Sequence, residues 1–192
     1  SFIIHEKTHD LNFHAFILSF FLLLFTDFHP FVIMFLGCDN MKIGIASDHR
    51  GYQMKTKIVK YLQKKHYEVI DYGTKDGKES VDYPDFAFAL GEAVRDHIVE
   101  YGIAICGSGI GISIACNKVD GVRCAHVSTI KETKMTRIDN DANVIAISGA
   151  MASFKALDIV DAFLKTPFSN GERHVRRIQK ITDYERRHHR DA

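Results

Sequence analysis

The 192-residue chain has no excess of charge of either sign. Its 25 Lys and Arg face 24 Asp and Glu, for a net charge of +1. That balance excludes a nucleic-acid module driven by a broad basic field, and equally a disordered acidic tail. Cysteine is scarce: there are four, with no CxxC pair, so neither a zinc ribbon nor a disulfide framework is spelled out. Free thiols suit a reducing compartment, and the expected location is cytoplasmic. An uninterrupted apolar run of about 20 residues, the length a membrane-spanning helix needs, is also missing. The stretch Ala15–Phe25 resumes at Phe31–Leu36, but Asp27, His29 and Pro30 break it. A secretory signal would start basic, whereas Glu6 and Asp10 outnumber Lys7, and no small-x-small cleavage site follows. What is present is 46% hydrophobic residues, enough for the core of one globular domain.

The composition has a seam near residue 40. Nine of the 14 Phe and only one of the 13 Gly precede it, together with four acidic residues against a single lysine, while all seven Tyr follow it. Residues 1–40 are expected to be an apolar leader upstream of a natural start at Met41, with an anchor or targeting arm as the alternative. His5-Glu6-Lys7-Thr8-His9 matches HExxH, but no downstream third ligand or following helix fits a zinc peptidase, so the match is read as accidental.

From Met41 short apolar runs alternate with amphipathic stretches. Strands are predicted at Lys42–Ala46, Glu68–Tyr72, Gly102–Cys106, Val122–His126 and Asn143–Ile147. Helices are predicted over Tyr52–Lys65, with Met54, Ile58 and Leu62 on one face, and over Asp85–Glu100, with Phe86, Leu90 and Val94 on one face. Others follow at Ile110–Asn117, from Ile130 to about Ile138 behind a capping box at Thr129 and Glu132, at Ser153–Leu164 and at Glu172–Arg187. Five strands separated by helices imply an α/β fold: a three-layer αβα, doubly wound (Rossmann-like) sheet of five parallel strands with a C-terminal helical extension. In such a sheet ligands bind beyond the carboxyl ends of the strands, so the residues just after each strand are the ones to inspect.

The strongest local signal is Cys106-Gly107-Ser108-Gly109-Ile110-Gly111, after the third strand. Its glycines let backbone approach a ligand and turn successive N–H groups toward an anion. The pattern is G-x-G-x-G and lacks the P-loop lysine, which disfavours dinucleotides and nucleoside triphosphates. Cys106 lies just ahead of the loop. A thiol among amide dipoles can serve as a thiolate base; equally, Cys106 can be a small buried strand-end residue. Cys116 and Cys124 read as packing. Asp48-His49 offers a carboxylate and an imidazole, or simply a helix cap. Arg173 and Arg177, four apart with Arg176 between them, can grip a phosphate or can be a solvated helix face. Asp139-Asn140-Asp141-Ala142-Asn143 reads as a turn.

In this order the stretches IASDHRGYQMK, VIDYGT, DYPDFA, GIAICGSGIGISIACNKVDGVR, NDANVIAISG and GERHVRR resemble the ribose-5-phosphate isomerase B family, which also includes galactose-6-phosphate and allose-6-phosphate isomerases. The resemblance runs from Met41 to about Arg187. It implies an aldose–ketose isomerase of the pentose phosphate pathway that works through an enediolate without metal or cofactor. It implies Cys106 as proton carrier, Ser108 in support, and the amides of Gly107, Gly109, Ile110 and Gly111 around the enediolate. Asp48 and His49 would contact the sugar and phosphate region, Tyr83 would line the pocket, Asn140 would bind the sugar near the reacting carbons, and Arg173 and Arg177 would bind the phosphate. A homodimer or tetramer with active sites at the subunit interface is implied as well, with no nucleic-acid or membrane partner. Two positions depart from the pattern: Asp139 stands where His commonly opens the sugar ring, and Ala150 stands where Arg is frequent. Ring opening would fall to Asp139, to a histidine such as His49 or His126, or to the spontaneous open-chain fraction. The departures keep a hexose-phosphate isomerase and a non-catalytic sugar-phosphate binder open as alternatives.

Overall fold

A computed structural model describes residues 41–188. Residues 1–40, with the expected leader and the HExxH match, lie outside the described residues. The elements run β1 (Lys42–Ser47), α1 (Tyr52–Lys64), β2 (Glu68–Asp71), α2 (Tyr83–Arg95), β3 (Tyr101–Cys106), α3 (Ile110–Cys116), β4 (Cys124–His126), α4 (Ile130–Asn140), β5 (Val144–Ser148), α5 (Ser153–Lys165) and α6 (Glu172–His188).

The strands pair entirely in parallel in the order β2-β1-β3-β5-β4. Alternation along them sorts side chains by size. Ile43, Ile45, Ile103, Ile105, Ile145 and Ile147 point to one face, where α1 supplies Met54, Ile58 and Leu62 and α5 supplies Ala156, Ile159, Val160 and Phe163. Ala46, Ala104 and Ala146 point to the other, where α2 and α3 bring Ala87, Leu90, Val94, Ile112 and Cys116. Both faces are therefore covered, as a parallel sheet requires. The chain leaves β1 toward β2 on one side and returns to β3 on the other, so the topological switch point, and the crevice it creates, lies between β1 and β3.

Helix α2 differs from the sequence-based expectation at both ends. It begins at Tyr83 with Pro84 inside its first turn, where a missing N–H costs nothing. It ends at Arg95 and not Glu100, because His97 takes a left-handed φ of 56° and Ile98 donates back to the Ala93 carbonyl, a reversal that drops Val99 into the core. Asp139 and Asn140 form the last turn of α4 and not a loop; the turn proper is Asp141, left-handed at φ 45°. Strand β4 is also shorter than expected, beginning at Cys124. The capping box is as expected: Thr129 Oγ1 accepts the N–H of Glu132 at 3.2 Å, and Glu132 Oε2 accepts that of Thr129 at 3.0 Å.

Candidate active site

Cys106 ends β3 almost fully buried, and its Sγ accepts the N–H of Gly109 at 3.1 Å. The loop that follows is partly self-satisfied. Ser108 Oγ accepts the N–H of Ile110 at 3.2 Å, and Ser148 Oγ donates to the Gly107 carbonyl at 2.7 Å. Two of the amides expected to face a ligand, those of Gly109 and Ile110, are thus already engaged. The N–H groups of Ser108 and Gly111 have no partner among the described residues.

Each glycine of the loop also makes room for a neighbouring side chain. A Cβ on Gly107 would come within 2.8 Å of Arg50 Cζ, one on Gly109 within 2.9 Å of His126 Cδ2, and one on Gly111 within 2.7 Å of Tyr83 Cζ. Gly109 additionally holds φ at +82°, which an L side chain rarely adopts. His126 Nε2 lies 3.1 Å from the Ser108 carbonyl, placing a second imidazole against the loop.

From β1, Asp48 is buried and its Oδ1 accepts the Gly51 N–H at 2.9 Å, so it closes the turn that leads into α1, while the helix itself has no side-chain cap. His49 Nδ1 accepts the Val81 N–H at 3.2 Å, which puts the neutral ring's proton on Nε2 and ties the β2–α2 loop to the end of β1. The same loop is anchored by Lys55, whose buried ammonium reaches Asp71 at 2.7 Å and the Thr74 carbonyl at 2.6 Å. His49, Arg50, Tyr52, Gln53, Asp76, Gly77, Lys78, Gly107, Gly149 and Ala150 enclose a cleft of about 710 Å³ beyond the carboxyl ends of the strands.

Cys106, Ser108, the glycines, Asp48, His49 and Tyr83 are brought to one end of the sheet. Asp139, Asn140, Arg173 and Arg177 are not. Asp139 and Asn140 close α4 just before β5 begins at Val144, whereas Cys106 is paired with Ser148 at the far end of β5. Four residue steps of strand separate the two levels, roughly 13 Å. Beside Asp139 sits His174, which sequence reasoning missed: it is buried, its Nε2 is 3.5 Å from Asp139 Oδ1, and it accepts from Arg173 Nε at 3.1 Å. That proximity joins α4 to α6 and left no local signal. Arg173 and Arg177 are exposed on α6.

Cys116 is fully buried against α2, and Cys124 packs beside it. The Cys116 thiol as hydrogen-bond neighbour, together with burial, holds the Cys124 thiol well above its ordinary value, so it stays neutral. Among the described residues there is no group of three His, Cys, Asp or Glu that could hold a metal ion, and no helix long and apolar enough to cross a membrane.

A doubly wound αβα sheet with a glycine loop and a strand-end thiol at its switch point defines the class: an α/β protein with a crevice beyond β1 and β3, where sheets of this kind place their ligands. The chain belongs to the ribose/galactose isomerase family, whose profile matches residues 43–181, and it is an isomerase. It is 44% identical over 146 residues to a Bacillus subtilis (strain 168) protein named as a sugar phosphate isomerase without a particular sugar, covering 76% of this chain and 97% of that one. It is similar to the solved structure of Clostridium thermocellum ribose-5-phosphate isomerase B, with 48% identity and a TM-score of 0.74 over 77% of this chain and 99% of that one. It is also similar to Mycoplasma genitalium ribose-5-phosphate isomerase B, solved with bound ribulose 5-phosphate, with 40% identity and a TM-score of 0.72 over 76% and 97% of the two chains.

Proposed function

We propose that the protein interconverts ribose 5-phosphate and ribulose 5-phosphate by proton transfer through Cys106, and that residues 41–192 carry the activity. The observation that carries the reading is Cys106 Sγ, fixed by the Gly109 N–H at the head of a loop that still offers the Ser108 and Gly111 amides. On the open-chain aldose the thiolate takes the C2 proton. The C–H electron pair becomes the C1=C2 double bond, and the aldehyde oxygen takes up the charge opposite those free donors. Ser108 Oγ already accepts from Ile110, which leaves its O–H free to donate to the same oxygen. Return of the proton to C1, with transfer of the O2 hydroxyl proton to O1, gives the ketose.

Ring opening falls to Asp139 with His174. The imidazole accepts from Arg173 when neutral and pairs with Asp139 when protonated, so His174 and Asp139 can take and return one proton while Arg173 stays a fixed cation. Because these groups lie about 13 Å from the level of Cys106 within one chain, the complete site is assembled between two copies, with Asp139, Asn140, Arg173 and Arg177 of one copy facing the cleft of the other. Exposed apolar side chains beside the loop, Ile110, Ile114 and Phe88, supply a surface for that contact.

The test is a coupled isomerase assay of the whole chain and of residues 41–192, using pentose and hexose phosphates. Turnover of ribose 5-phosphate at least about 10-fold above the six-carbon sugars is expected for both proteins. A preference for a hexose phosphate overturns the substrate. It would fit the one feature that favours the second reading, the room left in the cleft by Ala150.

A further inference from the structure

Arg50 is a cationic cleft residue to which neither the motif nor the proton-transfer chemistry assigns a task. Its guanidinium carries five N–H donors, and none of them has a hydrogen bond or ion pair among the described residues. The group rests on Gly107, with Cζ and Nε 2.8 Å and Nη1 3.1 Å from where a Cβ on that glycine would stand. It therefore lies beside the residue that follows Cys106. The acid of the cleft lining, Asp76, does not pair with it: Asp76 Oδ1 accepts the N–H groups of Lys78 and Glu79 at 2.9 and 3.3 Å, and those bonds keep the carboxyl ionised. Lys78 adds a second cation to the lining. Ala150 lines the same cleft, next to Gly149, whose own Cβ position is 2.7 Å from the Arg50 carbonyl. The backbone of Arg50 and the segment carrying Ala150 are thus neighbours, and a cation missing from one can be supplied by the other.

We propose that Arg50 is the anion ligand contributed by the same chain as Cys106, gripping the substrate phosphate in place of an arginine at position 150. This rests on the sugar-phosphate reading above. A planar guanidinium with unspent donors binds a phosphate through paired N–H···O bonds, and it is available here because no carboxylate neutralises it. Lacking internal partners, it is expendable for folding.

The experiment compares wild type, Arg50→Gln, Arg50→Lys and the double variant Arg50→Gln with Ala150→Arg, all in the whole chain. Three quantities are measured: inhibition by inorganic phosphate, KM and kcat for ribose 5-phosphate, and Tm. In Arg50→Gln the phosphate inhibition constant and KM both rise about 10- to 100-fold, the loss of a charged hydrogen-bond pair. The kcat stays within about 3-fold, and Tm moves by no more than about 2 °C. Arg50→Lys recovers part of the affinity as a point charge, and the Ala150→Arg addition recovers most of it. Unchanged phosphate inhibition and KM in Arg50→Gln overturn the proposal, as does a fall in kcat alone; failure of Ala150→Arg to restore affinity overturns the stand-in relation. If the wild type turns over no pentose phosphate, calorimetric titration with inorganic phosphate still tests Arg50, while the isomerase reading fails by itself.

Discussion

At the scale of single residues, the site is a loop of three glycines on which three side chains rest: Arg50 on Gly107, His126 on Gly109 and Tyr83 on Gly111. The spacing of those glycines was legible in the sequence. Their reason was not, because G-x-G-x-G says that side chains are forbidden without saying what occupies the space. The thiol was legible in the same way: its position before the loop left base and packing residue both open, and the Gly109 N–H aimed at Sγ is the observation that favours the base. Cys106→Ala should lower kcat for ribose 5-phosphate by about 10²–10⁴-fold with KM little altered, the cost of losing a positioned proton carrier. Steady-state kinetics checks it, and a variant retaining full turnover removes Cys106 from the chemistry. Asp48 shows a different balance: its carboxylate closes the turn before α1 through the Gly51 N–H, and no side chain caps the helix itself.

At the scale of elements, apolar periodicity located every strand and helix between Met41 and Arg187, and the errors are all at ends. They arise where backbone chemistry and not hydrophobic pattern decides: Pro84 inside a first turn, His97 and Asp141 left-handed at helix ends. Polar ties between elements far apart in sequence were not legible at all. The link between α1 and α5 is one. Asp161 accepts from Tyr61 at 2.7 Å, from Lys65 at 3.0 Å and from Lys165 at 2.7 Å. Burial pushes the Asp161 carboxyl up, but hydrogen bonds from Lys165, Tyr61 and Lys65 outweigh it, and the group titrates below the usual carboxylate range. A depressed folded-state value means that the stabilisation is fully present above the unfolded carboxyl's pKa of about 4 and is lost as the pH falls through the folded value. Asp161→Asn should therefore lower the urea midpoint at pH 7 and show a shallower loss of stability between pH 5 and pH 3 than wild type. Parallel acid limbs for the two proteins would assign the wild-type acid sensitivity to other carboxylates.

At the scale of the whole molecule, the doubly wound αβα architecture was legible because both faces of every inner strand are written in the sequence, isoleucine on one and small residues on the other. The proposed division of the site between two copies was implied only by the resemblance, since motif order by itself says nothing about which end of the sheet a residue reaches. Cys106 ends its strand at the carboxyl edge, and Asp139 lies in the last turn of its helix at the amino edge. If two copies complete one another, Cys106→Ala and the pair Arg173→Ala with Arg177→Ala should each be nearly inactive, yet a mixture of the two proteins should regain activity. Random exchange between dimers makes half of them mixed, each with one intact site, so about a quarter of wild-type activity is expected. No recovery after dissociation and reassociation would confine the site to a single chain. The same geometry sets how defects would be inherited. Two lesions on separate chains rescue each other, but both carried on one chain would spoil both sites of every dimer it enters, turning a recessive loss into a dominant one.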